Sequence, residues 1–310
     1  MSTESLVQIL DGQPLVLADV GASYFIPDTW NYLLSLPTAR FVLFDPVGKN
    51  LEYAKLLPSD RVTLVPFALS RNGEVSEFFL ANMDSGSSLF PPHPWPGRPP
   101  LNHDYFFPLK IIDIETKTMT SCLNEHGIDS VHAIKLDTQG SELDIVKGLD
   151  AARLEKLLLV EMEVSMDSYP VMLGAARLPE VIDYFEGNGF RHINTRIARK
   201  SLDQSGCVGP GFGATLAAQH ECDVLFVRDI LNAPHADTRE FISVLRQQLT
   251  LLCIYYLHAE AIETARLAAQ TVPAARDLLA ALERFIAGFA RYQSARLKEG
   301  AQSLWHRDQT

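Results

Sequence analysis

The sequence predicts an α/β fold on a mostly parallel sheet with one antiparallel strand, followed by a C-terminal helical extension. Three observations predict it. From residue 15 to about 230, strand-length apolar runs alternate with helix-period segments, which is the rhythm of βαβ units. Two of those runs end alike, in an acid followed by a glycine-containing turn: LVLADVGAS at 15–23 and AIKLDTQGS at 133–141. Such strand ends deliver acids to the ligand crevice of an open parallel sheet. Beyond Asp237 the pattern is helical to the end, with Leu278, Leu279, Leu282, Phe285, Ile286 and Phe289 following the i, i+3, i+4 period.

Taken in order, VLADV (16–20) precedes a helix expected around Thr29–Leu36, and FVLFD (41–45) precedes one at Lys49–Leu56. VTLVPFALS (62–70) leads into a polar, hairpin-like segment holding Glu74 and Glu77. HAIKLD (132–137) feeds a helix over 141–148, where Glu142 suits the positive end of the helix dipole. LEKLLLVEMEV (154–164) reads as the next strand, with a helix around Leu178–Gly187 after it. GFRHINTRI (189–197) and CDVLFVRD (222–229) flank a Gly-rich loop, and a hairpin there would close the sheet with its antiparallel strand. His132, His192 and His220 flank strands and read as satisfied structural histidines. The proline-rich stretch 89–108 can be neither helix nor ladder strand. It is either an acceptor-binding lid presenting Trp95, Tyr105 and His103, or a surface connection whose aromatics cover the sheet edge.

Bulk properties narrow the function. With 310 residues, 47% of them hydrophobic, the chain can build a large domain over 1–232 and a smaller helical appendage or dimer surface over 233–310. A formal charge of −11 opposes a nucleic-acid backbone or anionic membrane as the main partner. MSTESLVQIL lacks a basic, long-apolar leader, and the longest apolar run, LTLLCIYYL, falls short of the roughly 20 residues a membrane span needs. A soluble, cytoplasmic protein is therefore expected. Cys122, Cys207, Cys222 and Cys253 lack CxxC spacing and read as buried thiols, not a zinc site or disulfide framework.

The first turn narrows the ligand. DVGASYF holds one glycine where a pyrophosphate cradle needs G-x-G-x-x-G, and no GK[ST] motif is present. What remains is Asp19, the small turn Gly21–Ala22–Ser23, and a second acid, Asp45, closing the next strand, where it can accept both hydroxyls of a ribose. The expected ligand is an adenosine derivative without phosphates.

DVGAS, FVLFDP, PFALS, SSLFPP, IKLDTQGSELDIVKG, LLLVEMEV and CDVLFVRD, in this order over roughly residues 15–230, resemble FkbM-type methyltransferases. The DTQGSE and LVE blocks are the more specific. The resemblance implies a seven-stranded, Rossmann-like class I methyltransferase sheet, S-adenosylmethionine as cofactor, and O-methylation of a small or glycan-type acceptor. By position it places Asp19, Gly21, Ala22 and Ser23 at the methionine moiety, Asp45 at the ribose, Phe67, Ala68 and Leu69 at the adenine, and Asp137 at the reacting centre. A general base would add roughly 10²–10⁴-fold. Asp137 is the first candidate, with Glu161 and Glu163 on the next strand and the loop histidines behind it; alternatively Asp137 orients the cofactor or caps the helix at Ser141. These acids lack a His pair at ligand spacing, and no metal is expected.

One departure stands out. The resemblance implies a glycine at or near Phe25 and an Asn or another small turn residue at Ser23, whereas Tyr24 and Phe25 put bulk where the backbone would approach the cofactor. Phe25 is expected to enter the core near Ile26 and Trp30. Otherwise it fills the cofactor pocket, and the chain is a catalytically silent module binding a glycan or partner through the same crevice.

Overall fold

The structure, a computed structural model, describes residues 3–94, 106–166, 171–198 and 221–290. Its contacts divide the chain into two units. The larger comprises Leu15–Pro27 and Ala39–Asp229, and the smaller gathers the N-terminal residues to Pro14, Asp28–Thr38, and the chain from Ile230 onward.

In the larger unit a seven-stranded sheet has the order β3-β2-β1-β7-β8-β10-β9. Its strands are β1 (Leu15–Val20), β2 (Ala39–Phe44), β3 (Val62–Val65), β7 (Ala133–Leu136), β8 (Leu159–Ser165), β9 (Phe190–Ala198) and β10 (Glu221–Arg228). Neighbours pair in parallel except β10, which is antiparallel to both β8 and β9. The expected single antiparallel strand is therefore present. A smaller sheet, β4-β6-β5, joins Ala68–Leu69, Pro108–Lys117 and Val75–Ala81. The segment after Ser70 thus finds its partner beyond the proline-rich stretch, not in a local hairpin.

The central strands are buried on both faces, which is why LVLADV and ARFVLF read as near-continuous apolar runs. Helices α2 (Met119–Glu125), α3 (Glu142–Lys147), α4 (Ala151–Lys156) and α5 (Leu178–Gly187) connect or cover them. Caps define their starts: the side chain of Thr118 accepts from the Ser121 amide, and that of Asp150 from the Arg153 amide. The expected strand 154–164 is shorter than its apolar run, because Asp150 starts α4 and the strand begins at Leu159. The helix expected at 49–56 is a 3₁₀ helix over Gly48–Leu56, with no side-chain cap. α5 buries Val181 and Phe185, and Phe185 stacks on Phe226 of β10 at 4.5 Å and meets Phe190 edge-on at 5.3 Å.

The smaller unit is helical. It holds α1 (Thr3–Leu10), a 3₁₀ helix over Asp28–Ser35 where a helix was expected, α6 (Thr238–Ile254), α7 (His258–Thr271), and helical residues 275–290. Asp237 caps α6 by accepting from the Arg239 and Glu240 amides. Buried α6 residues include Leu245, Leu249 and Leu252, and Gln247 Nε2 donates to the Pro14 carbonyl at 2.6 Å. Among the described residues no helix is long and apolar enough to cross a membrane. Cys122, Cys222 and Cys253 are buried free thiols, and Cys207 lies outside the described residues.

Truncating Phe185 removes the ring on which β10 and α5 meet. Phe185→Ala should lower unfolding free energy by about 3–5 kcal/mol in chemical denaturation.

Candidate functional site

From β1 the chain crosses to β2 on one side, and from β7 to β8 on the other, so the carboxyl ends of β1 and β7 flank the switch point of the sheet. The two ends are joined closely. The Asp137 amide donates to the Val20 carbonyl at 3.0 Å, and a Cβ on Gly21 would lie 1.9 Å from the Asp137 carbonyl oxygen. Gly21 has φ +83°, so glycine is required on both counts. The amides of Gly21 and Ala22 both donate to the Phe44 carbonyl, and that of Ser23 donates to the Gly21 carbonyl. These amides are thereby committed within the protein and form no phosphate cradle.

Register builds the polar floor. Lys135 pairs laterally with Asp19 on β1 and with Glu161 on β8, so the three side chains form one row on one face. Two residues on, Asp137 and Glu163 share that face. Lys135 Nζ stands 3.8 Å from Asp19 Oδ1 and 3.5 Å from Asp137 Oδ2. Gln139, with φ +60°, donates from Nε2 to Asp137 Oδ1 at 2.8 Å and to Glu163 Oε2 at 3.0 Å.

Burial sets the protonation of this row. Desolvation pushes the Asp19 carboxyl up to about 7 against the opposing pull of Lys135, with Asp137, Glu161 and Asp45 adding to the rise. Its Oδ1 is buried without a hydrogen-bond partner among the described residues. Desolvation opposes the charge of Lys135, but Asp137, Asp19, Glu161 and Glu163 outweigh it and hold the ammonium above the usual lysine range. Glu142 is more than a dipole partner, since it is buried and accepts from the amides of Thr138 and Gly140. Desolvation raises its carboxyl to about 7, with those amides pulling the other way.

Two openings meet here. An apolar slot is lined by Phe44, Asp45, Pro46, Phe67, Ala68 and Leu69, among others. Beside it a polar cleft is lined by Asp19, Tyr24, Phe25, Lys135, Asp137 and Gln139, among others. Gly21, Ser23, Ser85 and Asp137 belong to both. Ala22 is buried within the turn. In the slot, Asp45 Oδ1 accepts from the Val47 amide at 2.7 Å and Oδ2 from Ser23 Oγ at 2.8 Å, while Asn50 Nδ2 reaches both oxygens at 3.2 Å. Desolvation raises the Asp45 carboxyl, partly offset by these bonds.

The structure thus brings Asp19, Gly21, Ser23, Asp45, Phe67, Ala68, Leu69 and Asp137 to one place. Glu163 joins through Gln139 and Glu161 through the lateral row, although neither lines the two openings. Trp95, His103 and Tyr105 lie outside the described residues. The expectation that Phe25 enters the core is overturned: it is 68% exposed and lines the polar cleft, and neither it nor Tyr24 lines the apolar slot. Sequence reasoning passed over Lys135, Asn50 and Gln139. A charged residue inside the four-residue strand AIKL was the available signal for the first. His132 is satisfied, accepting the Val16 amide at Nδ1 (2.9 Å), and its burial lowers the ring's pKa to about 4. Among the described residues no group of three or more His, Cys, Asp or Glu is placed to hold a metal ion.

A seven-stranded sheet of this order, with β10 antiparallel, defines a Rossmann-like methyltransferase fold. Residues 19–192 match the Methyltransferase FkbM domain, and the chain belongs to that family. It is 27% identical over 158 residues to the 2-O-methyltransferase NoeI of Sinorhizobium fredii, covering 46% of this chain and 60% of that protein. The chain thus spans less than two thirds of that relative. Among solved structures it is similar to TrmK of M. capricolum in complex with S-adenosyl-homocysteine (8% identity, 93% and 98% of the two chains, TM-score 0.35). It is likewise similar to a putative S-adenosylmethionine dependent methyltransferase from Listeria monocytogenes (12% identity, 73% and 95%, TM-score 0.34).

Two outcomes are expected. In Gly21→Ala the strand ends must separate, lowering stability by more than about 2 kcal/mol in urea titration. The raised Asp19 carboxyl makes stability complete below its unfolded value of 3.8 and lost as pH rises to about 7. Asp19→Asn should therefore flatten the fall in stability between pH 4 and 7 relative to wild type, measured as unfolding free energy against pH.

Proposed function

We propose that the chain transfers a methyl group from S-adenosylmethionine to a hydroxyl oxygen of a small or glycan-type acceptor. The observation that carries this reading is the junction at Gly21 and Asp137, where an apolar slot without a phosphate cradle opens into a polar, acid-lined cleft. Membership of a methyltransferase family and the 2-O-methyltransferase relative support it.

The residues suit this cofactor on two counts. The buried Asp19 Oδ1, without a hydrogen-bond partner among the described residues, favours an ammonium or sulfonium nearby. Phe67, Ala68, Leu69 and Pro46 offer an apolar bed for a base, with Asp45 beside them for ribose hydroxyls. Asp45 accepts four donations already, so ligand hydroxyls would displace Ser23 Oγ and Asn50 Nδ2. When bound, S-adenosylmethionine supplies a methyl group activated by its sulfonium charge.

The chain's own work is positioning and proton transfer. Asp137, at the junction, takes the acceptor hydroxyl proton on its carboxylate, while Lys135 and Gln139 hold that carboxylate in place. Glu163, on the far side of Gln139, fixes the amide's orientation. Holding acceptor oxygen and donor in near-attack geometry contributes up to about 7–11 kcal/mol, more than the base itself.

Replacing Asp45 removes the acceptor for both hydroxyls, each charge-assisted bond contributing about 1.5–3 kcal/mol. Calorimetric titration of Asp45→Ala with S-adenosylmethionine should show affinity at least tenfold below wild type, with circular dichroism establishing that the variant is folded. Unchanged affinity would sink the ribose assignment.

A further inference from the structure

We infer that Tyr24 and Phe25 form this chain's acceptor platform and that the cleft beneath them selects an uncharged, hydroxyl-bearing ring over an anionic one. The inference rests on the donor and acceptor reading above and assigns specificity within that site.

The backbone argues first. The Phe25 amide donates to the Ser23 carbonyl at 2.9 Å across Tyr24, whose φ is +69°, which makes a γ-turn of the rarer, strained hand. The Tyr24 amide is anchored on the Asn50 carbonyl at 3.1 Å. Four non-glycine residues among those described have left-handed φ values, and two of them, Tyr24 and Gln139, line this one cleft. The strain has a visible result: Tyr24 stays 48% and Phe25 68% exposed. Two adjacent aromatics held outward at a cleft leave apolar ring area that the core does not use.

The floor argues second. The same cleft is lined by the carboxylate of Asp137, the ammonium of Lys135 and the amide of Gln139, with the buried Asp19 beside Lys135. A pyranose matches this pairing, because its C–H face stacks on an aromatic ring while its hydroxyls both donate to the Asp137 carboxylate and accept from an ammonium. An anionic ring does not match. Lys135 is already shared between Asp19 and Asp137, so an added carboxylate or phosphate would face two acids across a partly desolvated cleft.

Saturation-transfer NMR with methyl glucopyranoside and methyl galactopyranoside, set against glucuronate, tests this on wild type, Phe25→Ala, Tyr24→Ala and Phe25→Trp, with and without S-adenosylhomocysteine. Wild type should bind at least one neutral pyranoside, and glucuronate at least tenfold more weakly. Phe25→Ala and Tyr24→Ala should each weaken the pyranoside at least tenfold, with Phe25→Trp retaining it. Because both side chains are exposed, melting temperature and S-adenosylhomocysteine affinity should stay close to wild type. The inference is overturned if wild type binds neither pyranoside, if glucuronate binds as well, or if the alanine variants bind like wild type. Absent S-adenosylhomocysteine binding beside Phe25-dependent pyranoside binding would instead fell the donor reading and leave the platform standing.

Discussion

The site depends on the close approach of two strand ends. Gly21 lies so near the Asp137 carbonyl that no side chain fits between, and this contact joins the first turn after β1 to the loop after β7. With the ends held together, the apolar slot and the polar cleft share Gly21 and Asp137. Groups held in the two openings can then meet at Asp137. A wider turn would leave two unconnected pockets.

The row Asp19–Lys135–Glu161 crosses the middle of a sheet whose neighbouring positions are apolar. Buried charges in such a place are costly unless paired. Lys135 offsets part of that cost by standing between carboxylates, but burial outweighs it and raises the carboxyl of Asp19, with the neighbouring acids adding to the rise. Stability alone would favour an apolar row.

Glu142 works on a different scale. By accepting from Thr138 and Gly140 it ties the loop between β7 and α3 into a fixed shape, which keeps Gln139 in its left-handed conformation and its amide on Asp137 and Glu163. Ser88 Oγ adds a second anchor by donating to the Gln139 carbonyl at 2.7 Å. The loop's shape is thus set by side-chain bonds to its backbone.

What the sequence determined by itself was whatever local pattern controls. Alternating apolar runs placed the seven strands of the main sheet, the acids ending LVLAD and AIKLD marked the crevice, and the single glycine in DVGASYF spoke against a pyrophosphate cradle at that turn. Tertiary structure decided the rest. β5 pairs with β6 across the proline-rich stretch, a long-range contact that no local period encodes. Lys135 gains its meaning from lateral register with β1 and β8, which periodicity within one strand cannot show. Phe25 is the clearest case. Composition favoured the core, but its side-chain direction is set by a γ-turn fixed through Ser23 and Asn50, and Asn50 is remote in sequence; backbone geometry, not hydrophobicity, turned the ring out to the cleft.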